Sequence, residues 1–314
     1  LFAVFSKWVL DDMSPTDLLF WRFVVAVPFA WSIVAVRARR GGPGPSAAPA
    51  RQFLPAGLVF GLLALFAFVG LDHLSASLYT VIIYTYPAMV AVGATLLGRR
   101  PPRALWAALG VTTLGIALTV PEVFRGGAEA DGLGLVLTLL NAAVYAGYVL
   151  VTGALVGGDD RDTSSSDGLA SDLGTARAPA DGIVASAWSL TGSLVFAVVV
   201  AVVMGVEVPT DPAVIAGVLG LGVVSTVVAS MTLFVGMRTV PPATAALIAT
   251  LEPVLTLTWA VTLLDESLVP LQIAGAVLVL AGVVWAQRIT PATTPLDRQP
   301  ATTTTAAATT TTAD

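Results

Sequence analysis

The chain contains no cysteine, and His73 is its only histidine. Those two shortages remove disulfide frameworks, thiolate metal sites and cysteine nucleophiles, and leave a zinc site nothing but carboxylates. Charge is scarce as well: 11% of the 314 residues are Asp, Glu, Lys or Arg, less than half the ~25% usual for a soluble domain. A formal charge of −5 and a pI near 4.8 argue against a nucleic-acid partner, which requires a basic face. No GxxxxGK[ST] segment occurs, so an ATP-driven pump has no support. A nucleophile with a base, or paired acids at membrane depth, would be needed for an enzyme. The spans offer neither, so no enzyme, cofactor or metal site is expected.

What the chain does have is apolar length. Hydrophobic residues make up 56% of it, and the mean hydropathy is +0.87. Nine charge-poor runs stand at 18–36, 53–70, 76–97, 104–120, 133–155, 183–206, 213–237, 243–264 and 268–287. A bilayer crossing takes ~20 residues, with ~17 as the lower bound, so each run qualifies, 104–120 and 53–70 being the shortest. Residues 1–10 form a partial tenth run. The reading is an all-α polytopic membrane protein of ten transmembrane helices, the start of helix one being absent from the sequence. Residues 157–182, GGDDRDTSSSDGLASDLGTARAPADG, form a flexible acidic loop, and 290–314 a disordered Thr/Ala-rich tail. Asp11-Asp12 and Asp159-Asp160-Arg161-Asp162 read as solvated loop charges.

Basic residues of short loops stay on the cytoplasmic side. With ten crossings and both termini inside, the inner segments hold twelve of the fifteen basic residues, and the outer ones only Arg125. A plasma-membrane protein with cytoplasmic termini is expected.

The two halves repeat. Phe68-Val69-Gly70-Leu71 returns as Phe234-Val235-Gly236-Met237 at an offset of 166, which also carries Pro87 onto Pro253. After a one-residue gap, Thr95-Leu96-Leu97 aligns with Thr262-Leu263-Leu264, and Gly115 with Gly282. Residues 1–121 thus hold spans one to five and residues 131–289 spans six to ten. Because five is odd, the copies enter the membrane in opposite senses, an inverted repeat of the kind found in secondary transporters. At ~1.5 Å per residue, Pro87 and Pro253 both lie about 15 Å deep, where each frees a carbonyl four residues back.

The segments SPTDLLFWRF, GLDHLSASLYTVIIYTYPAMV and FVGMRTVPPATAALIATLEPVLTLTWAVTLLDESLVPLQIAGAVLVLAGV resemble the duplicated domain of the EamA-like drug/metabolite transporters, and the likeness extends over residues 1–287. Leu251-Glu252-Pro253 followed by Glu266 and Gly275 carries the pattern in span nine. The resemblance implies a ten-helix basket with a central cavity that carries small metabolites or drug-like solutes, often outward. Two features depart from it: Arg99 stands where an acidic residue is usual, and the loop 157–182 is long.

Ionisable groups inside spans are rare and face a cavity or a partner. Glu252 is the deepest, a carboxylate for a proton or a substrate amine, or else an acid bonded to a neighbouring helix. Lys7, Tyr84, Tyr86, Asn141, Tyr145 and Trp259 are candidate cavity residues, and Pro87 and Pro253 candidate hinges. Hydroxyls and amides of this kind also join membrane helices. Arg22 is expected to snorkel to the interface, and His73 to form a solvated pair with Asp72. The chain reads as a secondary carrier, an exporter working by alternating access, with a small-molecule substrate, membrane lipids around it, and a monomeric or homodimeric state. The competing reading is a multi-pass scaffold or receptor with no central cavity.

Overall fold

The computed structural model of the chain describes residues 6, 9–10, 12–47, 49–74, 76–98, 101–119, 131–156, 180–252, 254–255 and 270–289. Among these, every regular element is a helix. In chain order, and keeping the span numbers expected from the sequence, α1 (Pro15–Arg39) and α2 (Ala50–His73) fall on the second and third spans, and α3 (Ala76–Ile83) with α4 (Tyr86–Leu96) on the fourth. The fifth, sixth and seventh are α5 (Arg103–Thr119), α6 (Gly132–Val156) and α7 (Gly182–Met204). The eighth joins α8 (Pro212–Gly220), a π-helical stretch (Leu221–Val228) and α9 (Ala229–Gly236); α10 (Pro242–Ala249) opens the ninth, and α11 (Pro270–Ile289) is the tenth. Among the described residues, six stretches are long and apolar enough to cross a bilayer, and Arg103–Thr119 and Pro270–Ala286 are shorter apolar helices. Lys7, Pro253, Trp259, the loop 157–179 and the tail 290–314 lie outside the described residues.

Helix starts follow from local chemistry. Ser14 caps α1, accepting from the Asp17 amide at 3.1 Å and donating to Asp17 Oδ2 at 2.6 Å. Asp211 caps α8, with Pro212 in the first turn, where its missing N–H costs nothing. The stops are equally local. Gly41, Gly98 and Gly205 take φ of +84°, +83° and +81° just past the second, fourth and seventh spans, a region other residues rarely enter.

Lipid gives helices no hydrophobic reason to associate, so close packing of small residues does that work. The fifth and tenth spans touch backbone to backbone: a Cβ on Gly115 would stand 2.7 Å from the Val279 amide and 2.8 Å from the Gly275 carbonyl oxygen, and Gly282 abuts Thr112 and Ala108. Rising numbers on α5 meet falling numbers on α11, so the two run antiparallel. The third span crosses the seventh where Gly57 meets Ser189 and Gly192, and the eighth crosses the second where Gly222 meets Arg22 and Val25.

The second and seventh spans are antiparallel too and are fastened along their length. At one end Arg37 makes a two-pronged contact with Asp181, at 2.8 and 3.2 Å, while Arg238 stands 3.8 Å from the same carboxylate. In the middle Trp31 donates to Thr191 Oγ1 at 3.0 Å and meets Trp188 edge-on at 4.9 Å. At the far end the Glu207 amide donates to Asp17 Oδ1 at 3.0 Å, and Trp21 Nε1 to the Glu207 carbonyl at 2.8 Å. Asp181 also accepts from the Ile183 and Val184 amides. Burial pushes its carboxyl up, but the Arg37 bond and the amides outweigh that and hold it below the ordinary value.

Two expectations are corrected. Arg22 does not reach the interface: it is 4% exposed, its Nε donates to Thr226 Oγ1 at 2.7 Å, and its guanidinium lies 5.2, 5.9 and 5.6 Å from the Phe23, Phe60 and Phe68 rings. The reason is the eighth span: the Thr226 hydroxyl donates to the Leu221 carbonyl five residues back, in the π-helical register, and so faces the arginine. His73 turns from Asp72 to Asp131, with Nδ1 2.7 Å from Oδ2. That contact ties the end of α2 to the start of α6.

Candidate site at two broken helices

Pro87 has no N–H to return to the carbonyl of Ile83, so the fourth span cannot stay a regular helix through it. The break falls at Tyr84-Thr85. There the Thr85 amide and hydroxyl both turn to the Ile82 carbonyl, at 3.1 and 2.7 Å. The helix restarts at Tyr86, with the Thr85 carbonyl accepting from the Ala88 and Met89 amides. The ninth span breaks at Thr250-Leu251, the positions 166 residues on. The Thr250 amide and hydroxyl both turn to the Leu247 carbonyl, at 3.1 and 2.6 Å, and Glu252 begins the next turn. In each span the residue ahead of the proline opens the second half.

The two breaks meet. The Tyr84 hydroxyl donates to Glu252 Oε2 at 2.8 Å. The Tyr86 hydroxyl donates to the Ala246 carbonyl at 3.1 Å, which an unbroken helix would have paired with the Thr250 amide. Rising numbers on the fourth span (Tyr84, Tyr86) meet falling numbers on the ninth (Glu252, Ala246), so this pair is antiparallel as well.

The chain has five tyrosines, and all five gather here. Tyr86 packs edge-on against Tyr145 at 4.7 Å, Tyr145 stacks on Tyr148 at 6.1 Å, and Tyr148 stacks on Phe60 at 5.2 Å. Phe234 reaches Tyr148 at 6.4 Å. Tyr148 also hydrogen-bonds Ser189 at 2.9 Å, and Asn141 Nδ2 donates to the Tyr79 hydroxyl at 3.1 Å. Tyr79, Tyr84, Tyr86, Tyr148 and Asn141 are buried, Tyr145 is half-buried and Glu252 is exposed. A wall of aromatic faces with hydroxyl tips, and the carboxyl group of Glu252 beside it, offers stacking and hydrogen bonding.

Of the residues singled out from sequence, the structure brings Tyr84, Tyr86, Pro87, Tyr145 and Glu252 together, and places Asn141 beside them on Tyr79. Tyr79 and Tyr148, seven residues from Tyr86 and from Asn141, join the site, and so do Phe60 and Phe234, which sequence spacing does not single out. The scarcity of tyrosine was the available signal for the first two. Among the described residues, no group of three or more His, Asp or Glu side chains is arranged to hold a metal ion.

The model of the EamA-like transporter family matches residues 1–120 and 166–287, more than half of the chain. A protein of Bacillus subtilis (strain 168), "uncharacterized transporter YcbK", is 27% identical over 283 residues, spanning 87% of this chain and 84% of its own. One solved crystal structure shares the fold at a TM-score of 0.66 and 17% identity, covering 90% of this chain and 91% of its own. With six apolar helices long enough to cross a bilayer and a duplicated match to one family, this chain is a membrane transporter of the EamA-like family.

Proposed function

We propose that the chain is a secondary-active exporter of small metabolites or drug-like solutes, working by alternating access at the crossing of the fourth and ninth spans. The observation that carries this reading is the pair of breaks, 166 residues apart, joined by the Tyr84–Glu252 bond inside the tyrosine cluster. Discontinuous spans that meet near the midplane form the substrate sites of many secondary carriers. Glu252 takes the part of a proton or substrate-charge site. Pro87 takes the part of a hinge; Pro253 as the second hinge, and Lys7 and Trp259 as further substrate contacts, rest on the sequence alone and lie outside the described residues.

The ten-span inverted repeat is supported by three antiparallel pairings, second with seventh, fourth with ninth and fifth with tenth. Each joins spans that the offset makes equivalent. To within one residue, that offset also relates the crossing of Gly57 on Ser189 to that of Gly222 on Arg22. The basic residues favour cytoplasmic termini, at the plasma membrane.

Aromatic, amphipathic solutes suit this wall. The test is an accumulation screen of a metabolite and toxicant panel in cells with the chain, without it, and with Tyr145→Ala. The proposal expects lowered accumulation of one or more aromatic solutes that Tyr145→Ala restores. Identical accumulation in cells with and without the chain contradicts it.

A further inference from the structure

The C-terminal end of the second span carries three arginines, Arg37, Arg39 and Arg40, and among the described residues the carboxylate paired there is that of Asp181, which is already shared with Arg238. Among the described residues, neither Arg39 nor Arg40 has an acidic partner. Beside them a groove of about 330 Å³ is lined by Ser32, Ile33, Val36, Arg37 and Arg40. Helical spacing orders this lining: Ser32, Val36 and Arg40 follow at intervals of four, with Ile33 and Arg37 alongside. The groove therefore runs along the helix from an apolar floor to a cationic head over about 12 Å. Val36, on that floor, is 47% exposed.

The geometry points to a binding site for an anionic phospholipid, its phosphate on Arg40 and Arg37 and the upper part of one acyl chain on Val36 and Ile33. Two features select this occupant. Arg40, with no acidic partner among the described residues, calls for an anion, and an apolar track continuous with it calls for an anion that carries a hydrocarbon tail. A free phosphate uses only the first, and a neutral lipid only the second. Basic pockets at the membrane interface hold acidic headgroups on the same principle. The ligand also bridges two spans, because Arg37 is fastened to Asp181 at the cap of α7. The inference requires only that the chain sits in a membrane, and it stands apart from the transport reading.

Native mass spectrometry of the full chain with equal amounts of palmitoyl-oleoyl phosphatidylglycerol and phosphatidylcholine tests it. The glycerol lipid is expected to be retained about fivefold or more over the choline lipid, with Arg40→Gln removing about fivefold. Ser32→Trp, which fills the groove from an exposed position, is expected to lower retention likewise. Inorganic phosphate and glycerol phosphate are expected to leave it unchanged. Equal retention of the two lipids, unaltered retention in both variants, or displacement by inorganic phosphate overturns the assignment.

Discussion

Tyr84 and Glu252 stand 168 positions apart in the chain and share one hydrogen bond of 2.8 Å, from the phenol to Oε2. Each sits at the break of its own span, so the bond couples the two places where the backbone can bend. Bonds to an ionised acceptor are roughly twice as strong as neutral ones. Adding a proton or a cationic substrate group to Glu252 therefore changes how firmly the two breaks are held together.

Tyr84→Phe keeps the ring and removes the donor. A hydrogen bond to a charged group contributes about 1.5–3 kcal/mol, so a transport rate that depends on this bond falls about tenfold to a hundredfold, with the protein still folded. Rates in reconstituted vesicles, alongside a thermal melt in detergent, check this. An unchanged rate removes the bond from the mechanism.

The clasp between Arg37 and Asp181 depends on pH in a defined direction. Because the folded Asp181 carboxyl lies below its ordinary value of 3.8, its contribution is complete above that value and is lost as pH falls through the folded one. Melting curves between about pH 3 and 7 should show a decline at the acid end that is smaller in Asp181→Asn. The same decline in both proteins assigns the acid sensitivity to other groups.

Close approach of the fifth and tenth spans makes Gly115 intolerant of a side chain, whereas a Cβ on Gly110, in the same helix, meets nothing within 4 Å. Gly115→Ala is expected to cost about 1–3 kcal/mol by overpacking, and Gly110→Ala to leave stability unchanged or slightly raised. Denaturant titration of the two variants distinguishes packing from helix propensity.

Thr226→Val takes the acceptor from a buried arginine. Interhelical hydrogen bonds in membranes average about 0.6 kcal/mol and reach about 1.7, and the charged donor places this one at the upper end. The neighbouring Ser225 hydroxyl is buried with no hydrogen-bond partner, so Ser225→Ala should be neutral or mildly stabilising. Equal losses in the two variants contradict this view of Arg22.

Much of this arrangement is legible in the sequence because lipid imposes simple rules. Run length locates α1, α2, α6 and α7 to within a few residues, and the offset of 166 aligns Pro87 with Pro253. Proline chemistry shows that each helix must break, but not that the break opens at Tyr84-Thr85, because threonine hydroxyls decide which carbonyl is satisfied. Arg22 departs from the snorkelling expectation for a related reason. Its surroundings come from Phe60, Phe68 and Thr226, on two other spans, and the π-helical turn that aims Thr226 leaves no mark in an apolar run. His73 likewise takes its partner from a distant helix start rather than from its neighbour in the chain.

Coupling of transport to charge through Glu252 is tested most directly by Glu252→Gln. Substrate efflux is measured for both proteins with and without an imposed pH gradient. The gradient is expected to accelerate efflux by the unsubstituted chain and to have no effect on the variant; the same gradient dependence in both contradicts a coupling role for Glu252.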